Sequence, residues 1–398
     1  MNTAFEKKLI DSKKISAEKS GSKDLILRNR IYVYSFILTV MVIWIHSPSL
    51  AVLDLDELKN GSNMLYFNIQ AVILKIAGAA VPGFFLLSGY QFFRDLKADR
   101  ISCIVEADDC CGIRSQKLRI AYGIISSKLM RRLKTLLLPY VLWNLIYFAM
   151  NIIAKDERLT LGNVFEAIVY YKYNPVFWYM HQLIRISILT PLLYPLIRGR
   201  KASIFVLIAF FFAAVKYSVL PFHFANEDAI FYYVTGAVIA LHWDFFADSD
   251  MYITGNRKKQ LLVVFINLVI SVILFFLSDI VFERDSLFLN PHELMLMSLI
   301  LFRTFTAILV MNLIKVIDLK KFRPKNIFKI SFFIYAVHPI EIKFVKIVQV
   351  LSGFERNGTV IFILFILMPL MCYVISYLIY IFMKRYMNNV YLVLSGGR

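Results

Sequence analysis

Ten apolar runs, near 31–50, 65–93, 135–153, 176–197, 202–220, 229–243, 260–278, 293–317, 330–350 and 359–383, alternate with polar segments along this chain. Most reach the roughly 17 to 25 residues that a helix needs to cross the hydrocarbon layer, and 229–243 is the shortest. The pattern predicts an all-α polytopic membrane protein: about ten transmembrane helices over 31–383, a basic tail at 1–30 and a short tail at 384–398. An even number of spans leaves both termini on one side. The longest polar stretch, 94–134, reads as a charged excursion from Arg94 to Gly112 followed by a helix-like approach, Ile120 to Lys134, that leads into Pro139. The second run carries a break signal at Gly78, Pro82 and Gly83. Backbone groups freed there need protein or water partners, which predicts packing inside the bundle or along a cavity.

Composition agrees with the pattern, at 59% hydrophobic residues over 398 positions and a mean hydropathy of +0.65. The net charge of +18 raises the question of nucleic acid, but the basic residues sort by side of the membrane. The two tails and the segments 94–134, 198–201, 244–259 and 318–329 hold 32 of the 45 Lys and Arg. The excess makes these segments cytoplasmic by the positive-inside rule and excludes a nucleic-acid footprint. The first run, with no small-residue cleavage site after it, reads as an uncleaved signal anchor. Cys103, Cys110 and Cys111 fall in the cytoplasmic excursion and Cys372 in the last span, so no disulfide framework is expected. The spacing of the first three matches no common zinc pattern, and no metal site is expected.

Ionisable side chains inside apolar runs are costly, at roughly 2.5 kcal/mol or more near the bilayer centre, and they draw attention to His46 at the far end of the first run. Two readings stand for it: a functional group, or a polar residue hydrogen-bonded to a neighbouring helix. Lys75, His181, Arg185, Arg303, Lys315, His338, Glu341, Lys343 and Lys346 share the predicament. His181 with Arg185, and His338 with Glu341, each occupy one helix face by spacing. His338-Pro339 lies near the middle of the ninth run. Lys128-Leu129-Met130-Arg131-Arg132-Leu133-Lys134 gathers four cations at the cytoplasmic mouth of the third span. They read either as basic anchors or as a phosphate site, since guanidinium forks bind phosphate oxygens with paired hydrogen bonds.

The order of motifs resembles the acyltransferase 3 family, integral membrane acyltransferases that modify bacterial cell-surface glycans and lipids. Ile31 to His46 resembles its opening helix, and Val81-Pro82-Gly83-Phe84-Phe85-Leu86-Leu87-Ser88-Gly89-Tyr90 its most recognisable stretch. Arg132-Leu133-Lys134 leading to Leu138-Pro139-Tyr140-Val141-Leu142-Trp143, then Phe177-Trp178-Tyr179-Met180 with Leu189-Thr190-Pro191, then Ser331-Phe332-Phe333-Ile334-Tyr335-Ala336-Val337-His338-Pro339, are similar to its later elements. The resemblance implies transfer of an acyl group, commonly acetyl, from cytoplasmic acyl-coenzyme A as co-substrate to a hydroxyl of a polysaccharide, lipid-linked glycan or related envelope acceptor. It implies a bacterial inner membrane location and no tightly bound cofactor. His46 matches the family's proposed catalytic histidine, and Arg131 and Lys134 match its basic pair at the acyl donor, with Arg132 between them. Many members carry arginine eleven residues before the histidine; here that position is Ser35, with Arg28 and Arg30 as the nearest cations.

On this reading His46 acts as general base, because imidazole takes up and returns a proton near neutral pH. It lies roughly 22 Å from the start of the first span at 1.5 Å per residue, toward the outer leaflet. Either the pantetheine arm reaches deep into the protein, or an acyl-enzyme relays the group. Glu341 is the candidate orienting carboxylate, and Ser88, Tyr90 and the backbone near Pro82 are candidate oxyanion donors. Two rivals remain: a glycan or metabolite carrier using His46, His338 and Glu341 as a proton relay, and a silent partner in envelope assembly.

Overall fold

The computed structural model describes residues 3–97, 113–155, 157–216, 225–243, 257–280, 290–316 and 324–397. Most of the excursion, with Cys103, Cys110 and Cys111, lies outside the described residues. Among the described residues there is no strand. The helices are α1 (Thr3–His46), α2 (Leu55–Lys59), α3 (Asn63–Ala77), α4 (Ala80–Phe93), α5 (Ile113–Lys155), α6 (Leu161–Val169), α7 (Trp178–Ile197) and α8 (Arg200–Lys216). They continue with α9 (Glu227–His242), α10 (Arg257–Leu277), α11 (Pro291–Val316), α12 (Asn326–Lys329), α13 (Ser331–Leu351), α14 (Gly358–Tyr386) and α15 (Asn388–Leu394).

The described part of each of the ten apolar runs lies mainly on helix, and the protein is an all-α, multi-pass membrane protein. Among the described residues, seven segments are long and apolar enough to cross a bilayer on their own. The runs on α8, α9 and α13 fall outside that set: α8 has 17 residues, α9 has 16, and α13 carries Glu341, Lys343 and Lys346. Two expected boundaries shift. The basic tail is helical from Thr3 and continuous with the first span, and the approach at 120–134 is one piece with the third span in the 43-residue α5.

The second run is divided at Gly78 and Ala79. The division leaves Pro82 in the first turn of α4, where a missing N–H breaks no helical hydrogen bond. Buried α4 and α9 form the centre of the molecule. Gly89 sits against the Tyr233 carbonyl and Gly236 against the Leu86 carbonyl, so close that a Cβ at either glycine would collide with backbone oxygen. The two backbones touch as small residues allow in membrane helices.

Around this pair, aromatic side chains tie helices together by donating to carbonyls on other elements. Tyr34 bonds to Ala307 at 3.0 Å, Tyr147 to Ala336 at 2.9 Å, Tyr335 to Val176 at 2.6 Å, and Trp143 to Leu394 at 3.0 Å. α1 runs alongside α12 and α13 in the same direction, with Phe36 against Phe328 of α12 near one end and His46 against His338 of α13 ten residues further along. Beyond His46 the turn is fixed by buried Gln70, which accepts from Leu50 N at 2.8 Å and donates to Pro48 O at 3.1 Å. Outside the bundle, α2 opens on a capping box between Asp54 and Glu57 and is held by Arg356. The Arg356 guanidinium keeps the Glu57 carboxyl below the usual carboxylate range.

Candidate functional site

Three cavities line up between the basic tail and His46. A mouth of about 770 Å³ is walled by Asp24, Arg28, Tyr32, Arg94, Asp95 and Lys128. It shares Ile31, Tyr32 and Gln91 with an inner cavity of about 270 Å³, lined by Ser35, Phe84, Ser88, Arg132, Tyr179, Lys329 and Tyr335. A third cavity of about 400 Å³ holds His46 together with Gly78, Phe85, Trp178, Asp228, Tyr232 and Arg303. One aromatic layer separates the second from the third. Phe84 and Tyr179 face the inner cavity and their sequence neighbours Phe85 and Trp178 the outer one. Phe85 packs on Tyr179 at 4.7 Å between ring centroids, and Tyr179 on Tyr335 at 5.9 Å.

His46 is half-buried, with its ring 5.5 Å from that of fully buried His338. The geometry of His338 follows from its neighbour in sequence. Pro339 has no N–H, which leaves the Tyr335 carbonyl four residues back without its helical donor. His338 Nδ1 takes that place, 2.8 Å from Tyr335 O. A carbonyl only accepts, so Nδ1 carries the proton and Nε2 is a bare acceptor. Nε2 is buried with no hydrogen-bond partner among the described residues.

The remaining expected site residues separate by position. Arg132 lines the inner cavity, donates to Ser88 O at 3.3 Å and lies over the Phe92 and Tyr233 rings. Arg131 and Lys134 are exposed and line none of the three cavities. Ser88 lines the inner cavity, whereas Tyr90 is buried in the α4 core and lines none of them. Glu341 is buried and accepts from Ser376 Oγ at 2.8 Å; among the described residues no hydrogen bond joins it to either histidine. Of the two cations near Ser35, Arg28 lines the mouth and Arg30 is buried inside the bundle.

Several intramembrane charges have ordinary partners. Lys75 pairs with Asp279 at 2.5 Å, and His181 packs on Tyr140 and Tyr171. Lys343 and Lys346 lie on an exposed face of α13. Asp228 belongs to none of the apolar runs and to none of the motifs above. Its position one residue before the shortest run, with Arg303 inside another, was the available signal: opposite charges on two spans mark a shared cavity.

A family model described as an acyltransferase domain matches residues 36–377, starting directly after Ser35 and including His46, Arg132 and His338. No curated protein and no solved structure matches the chain. The match extends over most of the sequence, from the first span to the last, and the chain therefore belongs to the acyltransferase 3 family.

Proposed function

We propose that this membrane acyltransferase moves an acyl group, acetyl in the simplest case, from cytoplasmic acyl-coenzyme A to a hydroxyl of a bacterial envelope glycan or glycolipid. The observation that carries the reading is the arrangement of two opposed cavities across one aromatic layer: cations at the mouth and at Arg132 on one side, the His46–His338 pair on the other.

The donor's phosphates bind at Arg28, Arg94, Lys128 and Arg132, whose side chains line the path, rather than at the outward-facing Arg131 and Lys134. The pantetheine arm follows the inner cavity past Ser35 and Ser88 toward the aromatic layer. On the far side, His46 takes the proton of the acceptor hydroxyl as its oxygen attacks the thioester carbonyl. The new C–O bond forms, the C–S bond breaks, and the proton passes from His46 to the departing thiolate, giving ester and free coenzyme A. His338 fits the orienting part better than Glu341. Its Nε2, which can only accept, offers a partner for the N–H of His46. Transfer through an acyl-histidine at His46 uses the same groups in two steps.

The test uses the purified full-length protein in lipid nanodiscs with radiolabelled acetyl-coenzyme A and envelope glycan. Label in the glycan, with one free coenzyme A per ester, supports acyl transfer. Glycan passage across a proteoliposome membrane without covalent label overturns it in favour of a carrier.

A further inference from the structure

The cavity beside His46 contains more chemistry than proton removal requires. Asp228 and Tyr232 enter it from α9, Arg303 from α11, and Phe85 and Trp178 form an aromatic wall. Arg303 Nε and Tyr232 Oη are buried, and although the guanidinium lies within reach of the phenol, neither atom makes a well-formed hydrogen bond among the described residues. Buried donors without well-formed partners are costly, at roughly 1 to 3 kcal/mol each, which makes them fit for a ligand that supplies acceptors. One Asp228 oxygen takes the Ala229 N–H at 2.7 Å, and the carboxylate retains capacity for a further donor. The volume of about 400 Å³ lies within the range of small-molecule sites, roughly 300 to 1,000 Å³.

We infer that this cavity is the acceptor site and that it holds a neutral vicinal diol of a sugar ring, bracketed by Asp228 and Arg303 and stacked on Trp178. The inference rests on the acyl-transfer reading for its role but not for its binding chemistry. A carboxylate accepts from one hydroxyl while a guanidinium donates to the adjacent oxygen. A single carboxylate or guanidinium would select for charge; together they balance and disfavour an anionic acceptor beside Asp228. The aromatic face covers the C–H side of the ring, and Tyr232 Oη and His46 border the same space. The hydroxyl nearest His46 is the one that loses its proton and receives the acyl carbon.

Binding is read without any donor, as quenching of tryptophan fluorescence by methyl β-D-glucoside, cyclohexanol or glycine in the full-length protein. Saturable quenching by the glucoside, absent with cyclohexanol and abolished in Trp178→Phe, is expected. Asp228→Asn and Arg303→Gln should each weaken it by roughly tenfold or more, the loss of one hydrogen bond to a charged group. In the transfer assay the same variants should raise the acceptor KM and leave the donor KM within about twofold, whereas a merely structural role would move both. Should Arg303→Gln fail to fold, Asp228→Asn and Tyr232→Phe carry the comparison. No quenching, equal quenching by cyclohexanol, quenching by glycine alone, or unchanged glucoside affinity in the variants overturns the diol site. Diol binding without acyl transfer overturns the function proposed above and leaves the site intact. Transfer with unaltered acceptor KM in Asp228→Asn does the reverse.

Discussion

At the scale of single residues, the site depends on which lone pairs and protons the backbone leaves available. Pro339 is the lever. By withholding an N–H it draws His338 Nδ1 onto the Tyr335 carbonyl and fixes the tautomer beside His46. Pro339→Ala returns the helical donor and frees the ring, so we expect kcat for transfer to fall about tenfold, the size of effect seen when groups that orient a reacting side chain are removed. The donor KM and the thermal midpoint should hold; a loss of stability with kcat unchanged would contradict the tautomer argument. A second residue-scale expectation separates cations by direction. Arg132→Gln should raise the donor KM roughly tenfold, the loss of one charge-assisted phosphate contact, while the double variant Arg131→Gln, Lys134→Gln stays within about twofold. Equal effects would return the phosphates to the outward face. His46 and His338 were legible because an ionisable group inside an apolar run stands out, and Arg132 because it belongs to a dense basic cluster at the mouth of the third span. Asp228 was not, because one residue outside a short run looks like loop, and its facing into a cavity depends on how α9 packs on α4.

At the scale of elements, the α4–α9 contact and the capped α2 make opposite kinds of demand. The central pair needs the absence of atoms. Gly236→Ala would set a methyl against the Leu86 carbonyl, and forcing the helices apart should cost about 1 to 3 kcal/mol, read as a lower thermal midpoint in detergent. The α2 cap needs a charge. The folded state binds Glu57 as the anion on Arg356, so its carboxyl titrates below its ordinary value. Such a group contributes above the unfolded value and loses that contribution as pH falls through the folded one. Arg356→Gln should therefore lower the midpoint near neutral pH and cease to matter once Glu57 is protonated. Hydrogen exchange at α2 across an acid titration checks this. The ten helical runs were evident in the sequence, as length and apolarity suffice for that. The continuation of α1 through the basic tail was not, because a polar helix carries no apolar run to announce it. The approach at 120–134 read as helix-like, and only its unbroken run through Pro139 into the third span was missed.

At the scale of the whole molecule, the order of the cavities gives the charge pattern a second meaning. The basic segments that orient the protein by the positive-inside rule also supply the cations around the mouth, so in the proposed mechanism one asymmetry serves topology and donor capture. In the same proposal the aromatic layer keeps the donor's charged end apart from the acceptor's hydroxyls, with His46 at the border. No single motif contains this arrangement, because its walls come from α1, α3, α4, α5, α7, α9, α11, α12 and α13, many of them far apart in sequence. The most direct test of His46 as general base is the single-turnover rate of label transfer in His46→Ala and His46→Gln, with donor affinity and thermal midpoint measured on the same preparations. With His46 as the base, the rate should fall by roughly 10² to 10⁴, the range for loss of a general base, with donor affinity and fold retained. Label transfer at the unsubstituted rate in either variant would contradict it.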